Sequence, residues 1–131
     1  MINPKAYFPV LVTDSISESK EFFTELFGFE PVFDADWYIH LVHESGAQLG
    51  FLVPNHPSQP AAVQKPFQGG GLIYSFEVDN VDEAYERIKD SVETILEPRT
   101  EEWGQRHFLV SAPSGLIVDV IKNEDPSLDA T

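Results

Sequence analysis

Phe8-Pro9-Val10-Leu11-Val12-Thr13-Asp14-Ser15-Ile16-Ser17-Glu18 opens one half of this 131-residue chain, and Ile73-Tyr74-Ser75-Phe76-Glu77-Val78-Asp79-Asn80-Val81-Asp82-Glu83 opens the other. Residues 8 to 37 correspond to residues 73 to 102 at an offset of 65. Such self-similarity marks one supersecondary unit used twice. In both copies a strand-like run leads to Ser15 or Asn80, with Glu18 or Glu83 three residues on. That spacing predicts a capping box: the Ser or Asn side chain accepts from first-turn amides while the Glu reaches back.

Working outward, the first helix is predicted from about Ile16 to Phe27, with Ser19, Phe22, Phe23, Leu26 and Phe27 at i, i+3, i+4 spacing and Gly28 as a left-handed stop. Its copy runs from about Val81 to Lys89 and presents Val81, Ala84, Tyr85 and Ile88. A short strand with Pro31 or Pro98 follows each helix, then an aromatic-rich strand, and then a turn at Glu44-Ser45-Gly46 or Pro113-Ser114-Gly115. The closing strands are Ala47 to Val53 and Leu116 to Ile121. One domain over 1–131 is expected, with modules at 6–53 and 72–122 and a Pro- and Gly-rich linker at 54–71 that cannot continue helix or strand. Residues 123–131 read as a polar tail.

Composition bounds the function. Hydrophobic residues make up 42% of the chain and include ten Phe, which excludes intrinsic disorder. No apolar run approaches the length of a membrane span, and the first residues lack a secretory layout, so the expected location is the cytoplasm. Without Cys there is no thiol nucleophile, disulfide or Cys-ligated zinc. A formal charge of −14 repels phosphate backbones and anionic lipid, so neither nucleic acid nor membrane is an expected partner.

The order of these pieces resembles the vicinal oxygen chelate superfamily, the glyoxalase, bleomycin-resistance and extradiol-dioxygenase group, over residues 6 to 122. Asp14 to Phe29 (DSISESKEFFTELFGF) is similar to the family's first helix, and Trp103-Gly104-Gln105-Arg106-His107-Phe108 with Ser111 to Ile121 resembles its closing hairpin. The resemblance implies an α+β fold: two βαβββ modules forming a curved mixed sheet around a cavity, within one chain or across a homodimer. It also implies that metal-dependent members place one ligand on the first strand and one on the last strand of each module. Aligned on the repeat, those positions are Phe8, Gly50, Ile73 and Asp119. Three of them offer no metal-binding side-chain atom, so no metal and no other cofactor is expected. A relocated site at His40, His107, Glu77 and Asp119 is the alternative.

Strand alternation marks the face that should line the cavity. Tyr74, Phe76, Val78, Phe108 and Val110 are assigned to the helix side, with Trp37, Ile39 and Leu41 taken into the core. The opposite face then carries Phe8, Val10 and Val12, Tyr38 and His40, Gln48, Gly50 and Leu52 in one copy. In the other it carries Ile73, Ser75 and Glu77, His107 and Leu109, Ile117, Asp119 and Ile121. Among apolar neighbours Asp119 needs a partner, and Arg106 is expected either to supply one or to serve a ligand. Trp103 and Trp37 fall one residue out of register in the repeat, as rim contacts or as buried anchors, and His56 reads as a solvated loop residue.

Two functional readings follow. The first is a metal-independent binding protein for a cationic or aromatic small molecule such as an antibiotic, with ligand contacts from Phe8, Tyr38, His40, Gly50, Ile73, Ser75, Glu77, Trp103, Arg106, His107 and Asp119. The second is a lyase, isomerase or dioxygenase with relocated metal ligands, or an acid-base enzyme using His107 with Asp119.

Overall fold

A computed structural model describes residues 1–124, so the expected tail lies outside the described residues from 125 onward, and Asn123 ends a strand. The chain divides into two compact units, Met1–Gln68 and a second beginning at Gly69. The first contains β1 (Val10–Val12), α1 (Ile16–Phe27), β2 (Glu30–Asp34), β3 (Tyr38–Val42) and β4 (Gln48–Leu52). The second contains β5 (Ile73–Glu77), α2 (Val81–Ile88), β6 (Glu93–Thr100), β7 (Gln105–Ser111) and β8 (Ile117–Asn123). Strand order is β1-β4-β3-β2 and β5-β8-β7-β6, with the first pairing of each sheet parallel and the others antiparallel. Each unit is thus a βαβββ module with a mixed sheet, the α+β fold expected.

Helix α1 begins and ends where the sequence places it, but its start is built differently. The Ser15 side chain makes no capping bond; the Ser15 amide instead donates to Thr13 Oγ1 at 3.0 Å. In α2 the expected half of the box forms, Asn80 Oδ1 accepting from the Glu83 amide at 3.0 Å, while the Glu83 carboxylate turns one turn onward to Arg87. The α1 stop is a left-handed Gly28 at φ 74°, a conformation that costs a side chain dearly and glycine little. Strand β1 is shorter than the run predicted from Phe8 to Thr13: Pro9 has no amide to give a ladder, although its carbonyl still accepts from the Gly50 amide at 3.0 Å and Thr13 donates to the Leu52 carbonyl at 2.9 Å.

The cores follow the predicted stripes. In the first unit Phe23, wholly buried, packs its ring 5.8 Å from those of Phe29 and Phe51, over Leu41 and Leu49. In the second, Phe108, Val110, Val118 and Val120 are buried, and Tyr85 of α2 meets the Phe108 ring at 5.0 Å. The stretch read as a linker belongs for most of its length to the first unit. Asn55 donates to the Gln64 carbonyl at 2.9 Å and Phe67 to the Val12 carbonyl at 2.8 Å, around a short 3-10 turn at Ala61–Val63. Its prolines forbid a ladder but not a turn that satisfies its own amides. No helix of the described residues is long and apolar enough to cross a membrane.

Candidate functional site

Alternation puts Ile39 and Leu41 of β3 under α1 and leaves Tyr38 and His40 on the other face. There the Tyr38 hydroxyl donates to His40 Nδ1 at 2.7 Å, and His40 Nε2–H donates to Gln48 Oε1 at 2.8 Å. The Phe8 ring stands edge-on to His40 at 4.5 Å. Tyr38 lies across Gly50: a Cβ there would come 2.2 Å from its hydroxyl. Burial raises the Tyr38 hydroxyl above its ordinary pKa. Beside this chain of rings is a cavity of about 300 Å³, lined by Val10, Val12 and Leu52 of the sheet, by Trp37 and Tyr38, and by Gln59 and Val63 of the Pro-rich segment.

Trp37 is therefore not in the helix-side core. It precedes β3, lies 5.8 Å from Tyr38, and stacks on His56 at 4.7 Å and 22°, so His56 is a packing partner rather than a solvated loop residue. Nor is Trp37 equivalent to Trp103. Tyr38 pairs with Leu52 and His107 with Ile121, which makes the offset in the hairpins 69, and Trp37 then corresponds to Arg106. The change from 65 to 69 falls in the longer β6 and its two register shifts.

In the second unit His107 is held between two carboxylates: its Nδ1 donates to Asp119 Oδ1 and its Nε2 to Glu101 Oε2, both at 2.8 Å. His107 is 7% exposed and Asp119 9%. Glu101, at the base of the β6–β7 turn, also accepts from Arg99 Nε at 2.9 Å. Trp103 in that turn is half exposed, its ring 6.5 Å from His107, and its Nε1 donates to Gln105 at 3.4 Å. Ser75 pairs with Asp119 across β5 and β8, and Ile73, Ser75 and Glu77 are exposed on this face. Burial pulls the His107 pKa down, but the bonds to Glu101 and Asp119 outweigh it and the net shift is upward. Burial raises Asp119, against the opposing bond from His107; the His107 and Arg99 bonds lower Glu101.

Arg106 does not serve Asp119. Adjacent residues of a strand face opposite ways, and Arg106 turns toward α2, where Nε and Nη2 donate to Asp82 at 2.9 and 2.7 Å. Glu101 was missed because it lies where the two copies lose a constant offset; reading 101–104 as a tight turn, closed by the Gly104 amide on the Glu101 carbonyl at 3.0 Å, would have placed it beside β7.

The positions implied for a metal do not fit one. Phe8 and Ile73 offer hydrocarbon, the space over Gly50 holds the Tyr38 phenol, and Asp119 is engaged by His107. The alternative set fares no better, since both ring nitrogens of His40 and of His107 already have partners. Among the described residues no three His or carboxylate side chains are arranged to hold an ion.

The His107 arrangement has a measurable consequence. Its native pKa is raised, so the stability it contributes is complete below the unfolded value of about 6.5 and is lost as pH rises through the native value. NMR titration of the imidazole is expected to give a midpoint above 6.5, with the urea midpoint falling over the same interval; a titration at or below 6.5 contradicts the clamp.

Two strand-helix-three-strand units, each a sheet with one parallel pairing and a helix on one face, define the class of paired βαβββ proteins. The chain belongs to the Glyoxalase/Bleomycin resistance protein/Dioxygenase superfamily, whose family model matches residues 7–120. No curated protein matches it in sequence. Among solved structures it is similar to a glyoxalase/bleomycin resistance protein/dioxygenase from Nocardioides, with TM-score 0.79 and 19% identity over 100% of this chain and 91% of that one. It is also similar to a lactoylglutathione lyase from Agrobacterium tumefaciens, with TM-score 0.74 and 19% identity over 94% and 97%. TnmS3, an antibiotic binding protein from Streptomyces sp. CB03234, is similar with TM-score 0.70 and 19% identity over 94% and 98%.

Proposed function

We propose that this protein binds an organic small molecule without a metal, on the helix-free sheet faces of its modules. The observation that carries this reading is that Gly50 lies beneath Tyr38 and Asp119 is clamped by His107, so both last-strand positions are satisfied by protein groups. Beside Tyr38 in the first unit stand aromatic and aliphatic walls with few polar groups, the usual make-up of a ligand pocket. Similar folds carry both an antibiotic binding protein and a lyase, so the fold does not choose between them and the site must. A homodimer is part of the reading, supported by exposed Tyr7 and Phe8 beside β1 of the first unit and by exposed Leu72 and Ile73 at β5 of the second.

The second reading, acid-base catalysis by His107, is favoured by its 2.8 Å bond to Asp119. A general base needs its other nitrogen directed at substrate, and Glu101 occupies Nε2. Binding is the better account. A thermal-shift screen of planar organic compounds and divalent ions, with and without chelator, tests it. Organic ligands are expected to raise Tm equally in both conditions; stabilisation of about 2.7 kcal/mol corresponds to ligand at about 100 times Kd. A response to a divalent ion alone, at one ion per chain, would reverse the conclusion.

A further inference from the structure

We propose that the cavity of the first unit is a site for an uncharged, flat molecule of about two fused rings, and that Gln59 is its specificity-determining residue. The inference rests on the small-molecule reading above and gives it a ligand class. An apolar cavity of about 150 Å³ accepts benzene. One of about 300 Å³ therefore admits a fused bicycle.

The cavity is set before a ligand arrives. Trp37 is braced by His56 on its ring and by the Val53 amide, which donates to the Trp37 carbonyl at 3.0 Å. The Tyr38 hydroxyl is committed to His40, so Tyr38 presents ring rather than a free hydroxyl. The Pro-rich wall is pinned to β1 through Phe67, and Gln64 Nε2 donates to the Gln59 carbonyl at 2.7 Å, which holds Gln59 in place. Rigid walls spare a ligand the ordering entropy that a loose loop would demand.

Charge decides the ligand class. The chain carries −14, yet no Asp, Glu, Lys or Arg lines this cavity. The side of a charged ring turned to this lining would lose water with no counter-charge in exchange, a cost an uncharged ring avoids. The acidic surface can draw cations toward the protein, but it does not line this space. Gln59 is the only side chain of the lining whose polar end is an amide, and its Nε2 donates to Ser58 Oγ at 3.2 Å. Oε1 is then the acceptor available to an N–H or O–H on the ligand's edge.

Three probes separate these features: 2-naphthol, naphthalene and 2-naphthylmethylammonium, titrated by calorimetry and by amide NMR shifts on the full chain. The expected result is that 2-naphthol perturbs Val12, Trp37, Leu52, Gln59 and Val63 and binds about three- to tenfold tighter than naphthalene, the worth of one net hydrogen bond. The ammonium is expected to bind weakest. Gln59→Leu should abolish the advantage of naphthol over naphthalene while naphthalene still binds at the same residues, a readout that misfolding would not mimic. Tighter binding of the ammonium at these residues, or perturbation centred elsewhere, overturns the assignment and leaves the small-molecule reading standing. Concentration-dependent shifts of the same residues without probe would show a second copy filling the cavity, which also overturns it. No shift with any of the three probes, together with a thermal-shift response to divalent ions only, would remove both.

Discussion

Phe23→Ala is expected to cost about 3–5 kcal/mol, a large part of what holds a small domain together. Phe23 is wholly buried, and its ring meets those of Phe22, Phe27, Phe29 and Phe51 at centroid distances from 5.0 to 5.8 Å. Helix α1 contributes this side chain and the sheet contributes Phe51, so the void opens between layers that rigid strands cannot close. Phe22→Ala, one residue away and only half buried, should cost distinctly less. Urea unfolding followed by circular dichroism measures both. Equal losses at the two positions would mean that the aromatic cluster is not organised around Phe23.

Gly50→Ala is expected to cost about 1–3 kcal/mol although Gly50 needs no special backbone conformation and the added group is one methyl. The methyl would sit 2.2 Å from the Tyr38 hydroxyl and 2.9 Å from its Cζ, so the whole phenol must leave. Its departure breaks the 2.7 Å bond to His40 and removes one wall of the first-unit cavity. A double-mutant cycle isolates the cause. In a Tyr38→Ala background the same methyl has room, so Gly50→Ala should be close to neutral and the coupling should fall within about 0.5–3 kcal/mol. Additive effects of the two substitutions would show that the clash is not with Tyr38.

The second unit repeats this relation with other chemistry. His107 corresponds to Tyr38 and Asp119 to Gly50 in the hairpin register, and in each unit the residue on the third strand reaches diagonally onto the last. One copy meets the need with a ring over a bare backbone, the other with an imidazole bonded to an acid. The pairing of His107 with Asp119 was legible from alternation, because two residues on the same face of neighbouring strands lie within reach. The same alternation already separated Arg106 from Asp119, and pairing them on charge alone ignored it. Glu101 was not legible from the repeat, since the copies change offset there. Placing Trp37 in the core extends the alternation of Ile39 and Leu41 back by one step, but Trp37 precedes β3, and a residue before a strand does not obey the strand's alternation.

Sequence alone determined the twofold strand-helix-three-strand order, the helix bounds near Ile16, Phe27 and Val81, the stop at Gly28, and the division of most strand residues between two faces. These depend on contacts within a few residues, on cap geometry and on a period of two. Tertiary structure decided which groups meet: the Ser15 amide with Thr13, Arg106 with Asp82, Glu101 with His107, His56 with Trp37, and the Phe67 amide with the Val12 carbonyl of β1. Each of those depends on strand register and chain closure over long separations, where a shift of one residue turns a side chain to the other face.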